Sequence, residues 1–103
     1  MRYKNRKYKK RKDTYPLEVF CANCKNPMVI YAKVGKGNLI KMQVPRIIEA
    51  EVDLENLEGS LFCVNCNEEL AKLGTYDGNA TYWVIRGKIN TRRLNKDIYQ
   101  VSG

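Results

Sequence analysis

The feature that most constrains this chain is its cysteine pattern. Cys21-Ala22-Asn23-Cys24 and Cys63-Val64-Asn65-Cys66 hold its only four cysteines, as two CxxC pairs with 38 residues between them. A CxxC turn aims both thiolates at one point, so each pair supplies half of a tetrahedral site. Two halves make a closed Cys₄ site with no open position for chemistry. The pairs share an interior, a small or apolar residue followed by Asn, and a further Asn follows each second cysteine, Asn26 close by and Asn67 at once. Asparagine tolerates the left-handed backbone of tight turns, which suits a loop wrapped round a metal. One structural zinc, held by Cys21, Cys24, Cys63 and Cys66, is the expected cofactor.

Other thiol chemistries fit less well. Disulfides need an oxidising compartment, and Met1 leads straight into charged residues with no apolar signal, so a cytoplasmic location is expected. A redox dithiol belongs at a strand-to-helix junction. Here each pair follows a strand-like run, Leu17 to Phe20 or Ser60 to Phe62, and no convincing long helix follows. Iron in a rubredoxin-like site suits the same S₄ geometry and stays open beside zinc.

At 103 residues the chain makes one small domain, for which a metal staple supplies folding energy that a limited core cannot. It has no histidine, and neither of its two serines, Ser60 and Ser102, lies beside an activating base. The expectation is a non-enzymatic protein with no small-molecule substrate. No run approaches the roughly 18 apolar residues of a membrane span, and no membrane partner is expected.

The net charge of +8 is unevenly placed. Residues 1–12 carry eight of the 19 basic side chains (Arg2, Lys4, Arg6, Lys7, Lys9, Lys10, Arg11 and Lys12) and no acid. The remainder holds 11 of each sign, so the basicity belongs to the head. Residues 1–15, with tyrosines at 3, 8 and 15, read as a basic tail that is disordered in isolation. Lysine and arginine neutralise phosphates and tyrosine stacks on unpaired bases, so the tail suits nucleic acid as well as mere solubilisation.

Residues 16–96 read as the folded β domain and 97–103 as a loose C-terminal end. Met28 to Val34 alternates, with Met28, Ile30, Ala32 and Val34 on one face and Val29, Tyr31 and Lys33 on the other. Gly35-Lys36-Gly37-Asn38 reads as a turn, returning through a strand with Ile40, Met42 and Val44 inward, a β-hairpin. Arg46 to Glu58 is the acidic part, an extended strand followed by a loop. Asp77-Gly78 is a hairpin turn, and Thr81 to Ile89 is the most β-prone run. A second basic patch holds Arg86, Lys88, Arg92, Arg93 and Lys96.

On Cys21, Cys24, Cys63 and Cys66 the chain resembles the zinc-ribbon class over about residues 17–90. That resemblance implies short antiparallel hairpins clamping one zinc. The long gap between knuckles is closer to larger tetracysteine β-folds such as the Mss4-like class. Lys25 and Asn67 stand where the class usually has glycine after the second cysteine. Zinc ribbons serve many roles, so the class speaks to fold more than function.

The expected fold is therefore mainly β, a small antiparallel domain of hairpins around a Cys₄ site. The expected partner is nucleic acid, RNA favoured, or a ribonucleoprotein or protein complex. Contacts are expected from the tail cations together with Lys36, Lys41, Arg86, Lys88, Arg92 and Arg93. Lys33 is a further candidate, and Trp83 or Tyr82 would be stacking platforms unless they are core residues. The alternative is a zinc-stabilised protein–protein interaction module, in which the acidic stretch from Glu49 to Glu58 docks a basic partner or folds back on the protein's own tail.

Overall fold

The structure, a computed structural model, describes residues 3–94. Arg2, Lys96 and the stretch 97–103 expected as a loose end lie outside the described residues. The strands in chain order are β1 (Tyr3–Lys4), β2 (Thr14–Cys21), β3 (Pro27–Val34), β4 (Lys41–Gln43), β5 (Ile47–Ala50), β6 (Leu61–Phe62), β7 (Glu69–Tyr76), β8 (Asn79–Val84) and β9 (Ile89–Arg93). A 3₁₀ turn, Val44–Arg46, joins β4 to β5, with Pro45 in its first turn where a missing N–H costs nothing. All pairings are antiparallel. One sheet runs β1-β5-β3-β2-β9, the other β4-β8-β7-β6.

The sheets pack face to face around one core. Val19, Val29, Tyr31 and Ile47 from the first meet Met42, Leu61, Leu70, Ala71 and Tyr82 from the second. Tyr31 ties the layers together, because its hydroxyl oxygen accepts a hydrogen bond from the Gln43 backbone N–H at 3.2 Å. Truncating a fully buried residue such as Leu70 would cost on the order of 2–5 kcal/mol.

Two expectations need correction. The segments at 28–34 and 39–44 do not form a hairpin. β3 pairs with β2 and β5, whereas β4 crosses to the other sheet and pairs with β8. Met28 to Ala32 is buried on both faces, as befits a central strand, so its two edges are already occupied by other partners. Ile40 is consequently 61% exposed in the crossing loop, while Met42 and Val44 are buried as expected. The β-prone run from Thr81 also divides. β8 ends at Val84, and a turn with Gly87 at φ 82° delivers β9 to the first sheet. The Asp77-Gly78 turn forms as read, with φ of 52° and 79°, the type I′ hairpin geometry. The acidic segment likewise gives a strand, β5, followed by a loop.

The second correction concerns the head. From residue 3 onward it lies on the fold. Tyr3 and Lys4 pair with Ala50 and Glu49. The Asn5 side-chain amide donates to the carbonyls of Val44 and Ile47, both at 2.7 Å. The Asn5 and Lys9 backbone N–H groups donate to Ile48 and Pro45. Tyr8 packs against Ile30, Ala32 and Ile48 on the outer face of the first sheet, and burial pushes its hydroxyl pKa up. Charge density argued for disorder, but two uncharged residues, Asn5 and Tyr8, supply the anchors. The cations between them point outward, which avoids their desolvation.

Asn5→Ala leaves the Val44 and Ile47 carbonyls without this donor and is expected to cost about 1–3 kcal/mol locally. Amide exchange at Asn5 and Lys9 should accelerate while the β2–β3 core stays protected. Unchanged exchange at those amides would show that Asn5 is not the anchor.

Candidate metal centre

Each CxxC closes a hairpin, and the two hairpins belong to different sheets. Cys21 ends β2 and Cys24 lies in the turn to β3, whereas Cys63 follows β6 and Cys66 precedes β7. The backbone of the two turns is the same. Lys25 N–H donates to the Cys21 carbonyl at 2.8 Å, and Asn67 N–H donates to the Cys63 carbonyl at 2.9 Å. Cys21 N–H donates to Asn26, as Cys63 N–H donates to Glu68. Lys25 (φ 67°) and Asn67 (φ 62°) are both left-handed. A backbone conformation that favours glycine is therefore held here by Lys25 and Asn67. That costs Lys25 more than Asn67, since asparagine tolerates this region.

The four sulfurs converge to within 4.8 Å of one another. Cys21 and Cys66 Sγ atoms are 3.6 Å apart and those of Cys24 and Cys63 are 3.5 Å apart. All four cysteines are free. A tetrahedron with metal–sulfur distances of about 2.3 Å has edges of about 3.8 Å, so the cluster fits one metal ion. Cys21 and Cys63 are buried, Cys24 and Cys66 half-buried.

The surroundings favour thiolates at the outer pair. The Asn65 side chain beside the Cys24 thiol, with the Asn26 backbone, brings its pKa down to about 6. The Asn23 side chain, with the Glu68 backbone, lowers that of Cys66. Each knuckle's asparagine thus serves the other knuckle's second cysteine, a reciprocal arrangement that explains the shared Asn-Cys ending. Burial pushes the Cys63 thiol up to about 11. Such a thiol gives up its proton when a cation binds, because the ion's charge replaces the solvation that burial removed.

The predicted nucleic-acid residues fall into two groups. Lys4, Arg6, Lys7, Lys9, Lys10, Arg11 and Lys12 are all exposed along the pinned head. Arg6 lies 3.9 Å from Glu55, an exposed and therefore weak pair. With Lys4 opposite Glu49 in the register, the head runs along part of the acidic stretch. Lys36 is exposed in the crossing loop. The C-terminal patch is held by local partners instead. Lys88 is hydrogen-bonded to Glu68, which raises its pKa. Arg92 bonds Glu18 at 2.8 Å, and Arg93 sits 4.1 Å over the Tyr15 ring. Arg86 remains exposed. Tyr82 is core, whereas Trp83 lies on the surface with Lys41 nearby on the same sheet. Sequence reasoning passed over Asn5, Lys72 and Tyr76. Strand register and ring contacts reveal the neighbours of Lys72 and Tyr76, and side-chain hydrogen bonds those of Asn5.

Comparison of the chain with protein families, with curated proteins and with solved structures gave no match.

Asn23→Ala and Asn65→Ala are each expected to lower metal affinity about 10- to 100-fold in chelator competition. Protons compete with the metal for thiolates, so a lowered thiol pKa delays release as pH falls. Losing Asn65 lets the Cys24 pKa rise, and the pH of half-release should move upward. Lys25→Gly relieves a left-handed lysine and is expected to stabilise the protein by up to about 1 kcal/mol, whereas Asn67→Gly should be nearly neutral. Equal effects in a denaturation series would refute this account of the knuckles.

Proposed function

We propose that this protein is a non-enzymatic, zinc-stapled nucleic-acid-binding protein, with RNA the favoured ligand. Zinc is the ion of choice for a closed all-thiolate tetrahedron, and such a site leaves no coordination position for a substrate. Its role is to lock the two sheets together at the end where β2–β3 and β6–β7 meet.

The observation that carries the binding reading is the pinned head. Seven exposed cations, Lys4, Arg6, Lys7, Lys9, Lys10, Arg11 and Lys12, are displayed along a segment whose backbone is anchored at Asn5 and Lys9. A ridge of this kind is pre-organised. Less conformational entropy is lost when a phosphate backbone docks than for a free tail. Arg86 and Lys36 add exposed charge, while Lys88, Arg92 and Arg93 support the fold through Glu68, Glu18 and Tyr15. Among the described residues no element has the form of a base-reading motif, so the ridge supplies affinity through phosphates more than sequence preference.

Replacing Lys9, Lys10, Arg11 and Lys12 together by Gln, with Asn5 and Tyr8 kept, is expected to reduce affinity for a single-stranded RNA about a hundredfold near physiological salt. The slope of log affinity against log salt should flatten by about 3, at roughly 0.7 per released contact. Affinity and slope equal to the unmodified protein would sink the reading. Metal analysis should give one zinc per chain. Stripping it with a strong chelator should separate the two sheets, seen as lost tertiary circular dichroism that zinc restores.

A further inference from the structure

The outer face of the second sheet bears an aromatic cluster that the core does not use. Across β4, β8 and β7 the register sets Lys41, Trp83 and Lys72 in one row. Tyr76 meets Trp83 edge to face, with ring centroids 5.9 Å apart. The Lys41 ammonium lies 4.4 Å over the Tyr76 ring. Trp83 is 37% exposed and Tyr76 43%. Thr81 shares this face by strand alternation yet is 0% exposed, between Gln43 and Gly74 in the register.

Gly74 explains the pose of the indole. A Cβ there would stand 3.0 Å from Trp83 Cδ1 and Nε1, so the ring lies over the bare glycine backbone. The Cδ1–Nε1 edge of the indole is seated on Gly74, and Trp83 stays 37% exposed. An exposed indole between two lysines is costly to leave uncovered and has a clear chemical complement. It fits a flat π-system carrying negative charge beside it, which describes an unpaired nucleotide.

Resting on the nucleic-acid reading above, the geometry points to a base-stacking site on this sheet face. Unpaired bases stack on Trp83 and against Tyr76, while Lys41 and Lys72 take the flanking phosphates. β4, which carries Lys41, runs directly into the 3₁₀ turn that holds Lys9 through Pro45. Platform and ridge lie on the outer faces of different sheets and are joined through this segment of chain. A duplex keeps its bases stacked on each other and gains only the ridge. The protein consequently prefers single strands to duplexes.

Trp83 is the only tryptophan in the chain, so fluorescence excited selectively at tryptophan reports this site alone. The full-length metal-loaded protein is titrated with a 12-nucleotide oligouridine and with a 12-base-pair RNA duplex, and binding is followed independently by sedimentation. The single strand is expected to bind more tightly and to quench Trp83 strongly, while the duplex leaves the emission nearly unchanged. Tyr76→Ala is expected to weaken the single strand about tenfold with little effect on the duplex. Gly74→Ala, which lifts the indole from its seat, should reduce the quenching. Single-strand binding without quenching, or equal losses for both ligands in Tyr76→Ala, would overturn the stacking site while leaving the ridge intact. Failure of both ligands to bind would overturn the nucleic-acid reading itself.

Discussion

Four cysteine sulfurs drawn within 4.8 Å of one another form the constraint on which the rest of this architecture depends. As thiolates without a cation they would repel strongly, and as thiols they would bury weak hydrogen-bonding groups at the end of a small core. A metal ion removes both penalties. Because the knuckles belong to hairpins of separate sheets, an ion held there would span the two layers. The cross-knuckle asparagines make the coupling mutual: Asn23 favours the thiolate of Cys66 and Asn65 that of Cys24. Each hairpin thus draws on its partner's asparagine to favour its second thiolate.

Away from the metal, the first sheet has two apolar faces. One meets the second sheet. The other, around Ile30, Ala32 and Ile48, is covered partly by Tyr8 and Leu94. The basic head thus acts as a thin third layer, held by an amide, an aromatic ring and backbone hydrogen bonds. Its lysines and arginines follow the usual rule for long cationic side chains, with stems along the surface and charges in water.

Charge is distributed by the same logic. Where cations fall near acids or rings of the fold they are taken up locally, as with Lys88 and Glu68, Arg92 and Glu18, and Arg93 and Tyr15. Where they cluster beyond the reach of enough acids, they form the exposed ridge. Lys41 rests its ammonium on Tyr76 at the margin of the aromatic face.

The chain's own residues determined the four cysteines that cluster, the mainly β antiparallel character, the Asp77-Gly78 hairpin and the asymmetry of charge. Each depends on local chemistry: thiol spacing, β-branched and aromatic runs, φ tolerance and a count of side chains. Only the tertiary structure decided that β3 is a central strand, that β4 leaves it for β8, and that the head is pinned. Alternation marks which residues share a face but not which strand lies beside them, and charge counting overlooks a well-placed Asn5 or Tyr8. The row of Lys41, Trp83 and Lys72 shows the reason most plainly. Residues 41, 72 and 83 are far apart along the chain, and only the hydrogen-bonded register of three strands makes them neighbours.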